Sequence, residues 1–179
     1  NKIKTFCCAG LLIASTTSCA DWLDVKMEDQ IMDNMLYSEE SGFKIALNGA
    51  YLDMINLYGS DLSAGKIDIM AQYYNVTENY NHTYKIYPGY KFDDGEYESF
   101  RDNVWTKAYR LIANLNVLLE HCDEEGSALS PTLYPIVKGE ALALRAMIHL
   151  DMLRLFGPVY NDATASEKCI PYQLSSSKD

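Results

Sequence analysis

The sequence predicts a mainly α-helical fold, built from antiparallel helix pairs with one long irregular loop. Apolar residues recur at steps of three and four along three separate segments, which is the period of a helix that buries one face. Glycine and proline stand near the ends of those segments, where helices start or stop. Hydrophobic residues make up 48% and aromatic residues 12% of the 179 residues, which is enough for a folded core.

The first 18 residues are predicted to be a signal peptide. Lys2 and Lys4 precede the apolar stretch FCCAGLLIA, which is too short to span a membrane but typical of a signal-peptide core. Small polar residues then lead to Cys19, in an arrangement that resembles the cleavage site of bacterial lipoproteins. We therefore expect Cys19 to carry a lipid. An ordinary secretory signal followed by an incidental cysteine is the alternative.

Charge and hydropathy exclude two classes of function. A formal net charge of -10 gives no general attraction to phosphate backbones, so nucleic acid is not an expected partner. No run of about 18 apolar residues exists, so no membrane-spanning helix is predicted. Membrane attachment would then depend on the lipid at Cys19.

The chain after the signal peptide is expected to start with a lead-in and a first helix. Residues 19–37 mix acidic and apolar side chains without a clean period, whereas residues 38–58 show a helical one. Ser38 is the expected N-cap, with acidic residues in the first turn, where they complement the helix dipole. Gly59 is expected to end this helix.

The loop at residues 60–95 is rich in tyrosine and asparagine. Loops of this length in compact domains are usually functional or disordered, and the aromatic density argues against disorder. Tyrosine offers a flat apolar face and asparagine offers an amide, which together suit the ring and the hydroxyls of a sugar. The candidate ligand-binding residues are Tyr73, Tyr74, Asn75, Tyr80 and Asn81. The alternative is that these tyrosines pack on the helices.

A pair of long helices is predicted at residues 96–156. The first begins at Glu96, and the second opens at Ser130-Pro131, with serine at the N-cap, and stops at Gly157-Pro158. Because the connection is short, the two helices are expected to be antiparallel. Such a pair is the unit of tetratricopeptide-like arrays, and one pair alone cannot bury its apolar face. Because the chain stops after a polar tail at residues 157–179, we expect it to be a truncated part of a larger helical domain.

The sequence contains no recognisable catalytic or metal-binding pattern. Cys122 and Cys169 are the two cysteines that could pair after signal cleavage, and their spacing leaves a disulfide and two unpaired thiols both open. The acidic residues at 93–98 are expected to face solvent at a helix N-terminus and not to form a glycosidase pair. No zinc spacing, phosphate loop or nucleophile motif is present, so no enzyme, metal or cofactor is predicted.

The third predicted helix carries a recognisable motif. Residues 139–146, Gly-Glu-Ala-Leu-Ala-Leu-Arg-Ala, closely resemble the helix signature of the SusD/RagB family of nutrient-binding outer-membrane lipoproteins. Two positions depart from the family pattern, because His149 stands where an aromatic residue is usual and Tyr160 where proline is common. Glu140 and Arg145 are five residues apart, so we expect each to contact a neighbouring helix and not the other.

The resemblance implies a lipid-anchored helical domain, exposed at the cell surface, that lies against a SusC-like TonB-dependent transporter of the outer membrane. The implied function is capture of an oligosaccharide or polysaccharide and its delivery to that transporter, without cleavage. Ligand contacts in the family often come from the loop that corresponds to residues 60–95. Two other functions stay open: a helical protein-interaction module that docks on the transporter, and binding of peptide instead of glycan.

Overall fold

The computed structural model describes residues 33–63, 65–77, 82–162 and 164–176. The chain divides into a segment that ends at Leu36 and a compact unit from Tyr37 to Asp179, and the fold below is that of the second. The protein is mainly helical, as predicted, and the described residues contain no β-strand. The elements in chain order are α1 (Glu40–Leu57), a π-helical turn (Tyr58–Leu62), α2 (Lys66–Met70), a 3₁₀ turn (Thr83–Ile86), α3 (Gly95–Asp123) and α4 (Tyr134–Phe156).

The predicted signal peptide, Cys19 and most of the lead-in at residues 19–37 lie outside the described residues. The last residues of the lead-in differ from the expected irregular structure, because residues 33–36 are helical. A single turn is shorter than the window over which apolar periodicity can be recognised, so the sequence pattern does not indicate it.

α3 is the central helix of the compact unit. It packs against both α1 and α4, whereas α1 and α4 contact each other less. The apolar residues at these contacts recur at helical spacing and are almost completely buried: Val104, Ala108, Leu111, Ile112, Leu115 and Leu118. A helix with such a broad apolar face can serve two neighbours.

α3 and α4 form an antiparallel pair. At the C-terminal end of α3, the Asp123 carboxylate lies 2.6 Å from the ammonium group of Lys138, near the start of α4. Nearer the other end of α3, the ring of Trp105 packs edge-on against Phe156, with 5.0 Å between the ring centroids. This is the tetratricopeptide-like pairing that the sequence predicted.

α4 presents apolar side chains on two faces. The inner face buries Ala141 and Ile148 completely. The outer face exposes Leu142, Leu150 and Leu153, which are 39%, 53% and 43% exposed. Within the described residues, the pair therefore leaves an apolar helix face uncovered, as expected of a single helix pair.

Gly59 does not end the first helix, and this prediction was wrong. α1 passes without a break into the π-helical turn at Tyr58–Leu62. Asp61 and Leu62 of this turn are buried. Their tertiary contacts keep the chain on a helical path beyond the glycine, although the glycine itself would allow the helix to stop.

The N-cap of α1 is Glu39 and not Ser38. Glu39 has extended backbone angles and makes no side-chain cap bond. Glu40, in the first turn, instead reaches the connection between α3 and α4, where its carboxylate accepts a hydrogen bond from the Ser130 N–H at 3.1 Å. The position of the cap is set by where the backbone enters the helix, which the identity of Ser38 alone does not determine.

α4 begins at Tyr134, four residues after the predicted Ser130 cap. Pro135 has no N–H to donate to the carbonyl of Pro131, so the helical bond from Tyr134 to Ser130 is not followed by a second consecutive one. The carbonyl of Ser130 accepts from the Tyr134 N–H at 2.9 Å and closes the turn that precedes the helix.

The start of α3 is close to the prediction. Asp94 caps this helix, because its carboxylate accepts a hydrogen bond from the Glu96 N–H at 2.9 Å.

Asp61 is the centre of a buried ion-pair cluster. Its carboxylate is almost fully buried and lies 2.8 Å from the ammonium groups of both Lys66 and Lys107. Burial acts to raise the pKa of Asp61, but the hydrogen bonds from the two lysines outweigh it and hold the pKa below its usual value. Lys66 belongs to α2 and Lys107 to α3, so the cluster joins three elements.

The C-terminal segment at residues 170–176 lies across α3 and α4. The Asn116 amide donates to the carbonyl of Ser175 at 2.9 Å, and the Arg145 guanidinium donates to the carbonyl of Leu174 at 3.2 Å. Arg145 also donates to the side-chain oxygen of Asn116 at 2.7 Å. Asn116 is completely buried, so this network satisfies polar atoms that would otherwise be costly to bury.

Both polar residues of the 139–146 motif contact other helices, which confirms the prediction. Arg145 reaches Asn116 of α3, and Glu140 accepts a hydrogen bond from the Tyr51 hydroxyl of α1 at 2.9 Å. The motif therefore connects α4 to both of its neighbours.

His149 is buried beneath the same C-terminal segment as a neutral ring. Its Nδ1 donates to the carbonyl of Arg145 at 2.9 Å, and its Nε2 accepts from the Gln173 N–H at 3.3 Å. Burial lowers the pKa of His149; the bond to the Arg145 carbonyl opposes this, and the Arg145 charge lowers the pKa further. A protonated ring would lose its acceptor and place two N–H groups against each other.

Cys122 and Cys169 are both free thiols, which answers the question that their spacing left open. Cys122 lies near the C-terminal end of α3, and burial raises its pKa to about 11. Cys169 lies close to Gly157, just beyond the C-terminal end of α4 and so at the other end of the antiparallel pair.

None of the described helices is long and apolar enough to cross a membrane.

We expect Asp61→Asn to lower the free energy of unfolding by about 3 kcal/mol, because it leaves two lysines close together without their counter-charge. Urea unfolding followed by circular dichroism measures the change. Asp102→Asn is the control, since it removes half of an exposed ion pair with Arg101 on α3 and should cost less than about 1 kcal/mol. Equal losses in the two variants would show that the buried cluster contributes little.

We expect the free energy of unfolding to fall as the pH drops below about 6.5, the ordinary pKa of histidine. His149 binds a proton less readily in the folded state than in the unfolded state, so its contribution is intact above that pH and is lost at lower pH. Urea unfolding at steps from about pH 8 to pH 5 measures the slope. His149→Gln does not titrate and should show a shallower slope; identical slopes would contradict the assignment.

Candidate ligand-binding site

The predicted ligand residues Tyr73, Tyr74 and Asn75 lie on the segment that follows α2. Tyr73 is 77% exposed and Tyr74 is 51% exposed, and Asn75 is exposed as well. The other two candidates, Tyr80 and Asn81, lie outside the described residues. The three described residues face solvent and are not packed as core residues, which was the alternative for the tyrosines.

The end of α2 determines the course of this segment. Gln72 has a φ of 63°, in the left-handed region. Its N–H donates to the carbonyl of Ile69 at 2.9 Å, and the Tyr73 N–H donates to the carbonyl of Asp68 at 3.0 Å. These two bonds form a Schellman motif, which ends a helix and turns the chain away from its axis. The motif thereby sets the direction in which Tyr73 and Tyr74 leave α2.

Two further aromatic residues near this end of α2 were not among the predicted site residues. The Tyr90 hydroxyl donates to the carbonyl of Met70 at 2.6 Å, while its side chain remains partly exposed. Phe92 is also exposed and packs edge-on against Tyr97 of α3, with 4.8 Å between ring centroids. Composition could not separate them from Tyr87, which is buried in the core, because exposure depends on tertiary contacts.

A cleft of about 340 Å³ opens between α2 and the C-terminal part of α4. Its apolar walls are formed by Leu62, Ile67 and Leu155. Its polar groups belong to Tyr58, Ser63, Asp68, Asp151 and Arg154. The volume is at the lower end of the range for small-molecule pockets, and it suits a group about the size of one ring.

The Asp151 carboxylate is held at the wall of the cleft by its neighbours. The Tyr58 hydroxyl donates to one carboxylate oxygen at 2.6 Å, and the guanidinium of Arg154 lies 3.5 Å from the other. Burial and then the bond to Asp151 raise the pKa of Tyr58 well above its usual value, so the hydroxyl remains a donor. The Arg154 side chain is 74% exposed and accessible to a ligand.

The cleft and the exposed tyrosines share α2. Asp68 lines the cleft, and its carbonyl oxygen accepts the hydrogen bond that fixes Tyr73. The groups brought together are hydrogen-bonding side chains and apolar surfaces, which equip the region to bind a hydroxyl-rich ligand. In the part of the chain that the structure describes, no three metal-ligating side chains come together.

The described part of the chain is a helix-pair scaffold that displays tyrosines next to a cleft with polar edges. The chain belongs to the SusD-like family, whose model, described as starch-binding and associating with the outer membrane, matches residues 21–179. This membership confirms the resemblance carried by residues 139–146 and places the chain in a family of binding proteins. Searches of curated proteins and of solved structures found no match.

We expect Gln72→Gly to raise the free energy of unfolding by up to about 1 kcal/mol, because glycine adopts the left-handed conformation without the steric cost that a side chain carries. Thermal unfolding followed by circular dichroism measures the change. Gln72→Ala is the matched control, since it keeps the Cβ atom and should stay within about 0.5 kcal/mol of the parent protein. A glycine variant no more stable than the alanine variant would contradict the Schellman geometry.

Proposed function

We propose that this protein binds glycans at the cell surface and delivers them to a partner SusC-like TonB-dependent transporter. The observation that carries the proposal is the match of residues 21–179 to a family described as starch-binding and associating with the outer membrane. A binding function without cleavage also agrees with the kind of groups in the candidate site, which are suited to holding hydroxyls.

The side chains at the end of α2 support a glycan as the ligand. Tyr73 and Tyr74 expose flat apolar rings that can cover the C–H face of a pyranose, and Asn75 adds an amide that can both donate to and accept from hydroxyl groups. Tyr80 and Asn81, on the same loop, are proposed to extend this surface. The role of these five residues in binding is part of the proposal.

The proposed location is the outer membrane, with the domain exposed at the surface and held by a lipid on Cys19. The support comes from the signal-peptide pattern in residues 1–18 and from the association of the family with the outer membrane. A lipid anchor at the membrane and contact with the transporter would together keep the binding surface close to the protein that takes up the glycan.

The second candidate function is docking on the transporter through the tyrosine-rich loop, with no glycan site in this chain. Exposed tyrosines favour it as well, because tyrosine is enriched in protein interfaces. Removing the whole loop at residues 61–95 cannot separate the two functions, since it would delete the buried Asp61 and Leu62 and damage the fold. Point substitutions at Tyr73 and Tyr74 avoid that problem.

We expect the Tyr73→Ala/Tyr74→Ala double variant to bind maltohexaose at least about tenfold more weakly than the parent chain, since loss of an aromatic contact commonly costs more than 1 kcal/mol. Isothermal titration calorimetry measures the affinity, and circular dichroism shows whether the variant is folded. Tyr160→Ala is the matched control, because Tyr160 is 81% exposed but lies after α4.

The outcomes separate the candidate functions. Equal glycan affinity in the double variant, together with loss of complex formation with the transporter, would favour the docking function. Binding of a peptide such as glycylglycine by the parent chain, with no binding from a broad panel of glycans, would show that the ligand class is wrong.

A further inference from the structure

We propose that the cleft between α2 and the C-terminal part of α4 is a distinct binding site that takes one neutral sugar ring. This inference rests on the proposed glycan-binding function and adds to it a second site, which the predicted tyrosine and asparagine residues do not line. The residues that carry it are Tyr58, Asp151 and Arg154, with the apolar walls of the cleft.

The polar groups of the cleft match a hydroxyl better than a charged group. Among the described residues, the second oxygen of Asp151 has only the guanidinium of Arg154 beside it, at 3.5 Å, a separation at the outer limit of a hydrogen bond. A hydroxyl that lies beside this pair, within reach of both groups, can donate to the carboxylate and accept from the guanidinium at the same time. A carboxylate ligand would be repelled by Asp151 and Asp68; an ammonium ligand would be attracted by these two carboxylates but would compete with Arg154 for Asp151.

The geometry of the cleft is fixed before a ligand arrives. The short bond from the Tyr58 hydroxyl holds one oxygen of Asp151, whose side chain is only 23% exposed. Orienting the second oxygen therefore costs little conformational entropy when a ligand binds. The exposed guanidinium of Arg154 supplies the adjustable partner at the mouth.

The shape and the apolar walls suit a pyranose. Leu62, Ile67 and Leu155 present aliphatic surface on which the C–H face of a ring can be desolvated. A volume of about 340 Å³ accommodates one ring and not a long chain. Longer glycans would have to leave the cleft at the mouth, on the side of Ser63 and Arg154.

The test is binding of D-glucose, maltohexaose and glycylglycine to the 179-residue chain, measured by saturation-transfer NMR and by titration. Arg154→Ala should weaken glucose binding at least about tenfold, because it removes a charged hydrogen-bond donor. Ser63→Phe, which places a bulky ring at the mouth without changing a charge, should weaken it to a similar degree. Arg110→Ala, an exposed arginine on α3, is the matched control and should bind like the parent chain.

Each outcome bears on the cleft or on the proposed function. Glucose affinity that is unchanged in both cleft variants, or maltohexaose binding without any glucose binding, would overturn the cleft site alone and leave the proposed function standing. Competition of glycylglycine for the cleft in place of glucose would overturn the assignment to a sugar. If the parent chain binds neither sugar, the cleft site fails, and the proposed function fails with it when a broad panel of glycans also shows no binding.

Discussion

Five residues are too few to form a stable isolated helix, so α2 depends on tertiary contacts: the ion pair of Lys66 with Asp61, which Lys107 also pairs, and the burial of Ile69 in the core. A buried carboxylate is costly unless it is fully paired, and here both of its oxygens have a lysine partner. The chain also turns tightly before α2, where a Cβ atom at Gly65 would collide with the carbonyl group of Ser60. Both candidate binding surfaces, the cleft and the exposed tyrosines, adjoin α2, so their geometry depends on the contacts that hold this short helix.

The motif at residues 139–146 has a structural function that explains its residue types. Glu140 and Arg145 connect α4 to α1 and α3, and Arg145 together with Asn116 also holds the backbone of the C-terminal segment. Small and apolar residues between them allow α4 to pack closely on α3 while its other face remains apolar and exposed. The sequence feature that identifies the family thus belongs to the scaffold, and the residues proposed to meet the ligand lie elsewhere.

Most of the fold could be predicted, because a long helix with one buried face places apolar residues at a regular spacing. This spacing is visible in the sequence without any knowledge of tertiary contacts. The wrong predictions concern helix ends, where a tertiary contact or a missing backbone N–H donor outweighs the residue types that usually start or stop a helix. Gly59 was expected to stop a helix, but the buried Asp61 and Leu62 carry the chain past it. Ser130 was expected to cap α4, but Pro135 interrupts the helical hydrogen bonds after the turn that Ser130 closes, so α4 begins only at Tyr134. The short helix α2 was missed because five residues show no period.

The candidate site was also predictable only in part from the sequence. Composition indicated that the loop is rich in tyrosine but not which tyrosines are exposed. Tyr73 and Tyr74 are exposed because a Schellman turn at Gln72 leads the chain away from α2, and the residue type at that position does not predict such a turn. The cleft could not be predicted at all, since its two walls come from segments about 90 residues apart in the sequence and Tyr58 meets Asp151 only after α1 and α4 have packed. Side chains that are unremarkable in the sequence form a cleft with polar edges when the fold brings them together, as it does for Tyr58, Asp151 and Arg154.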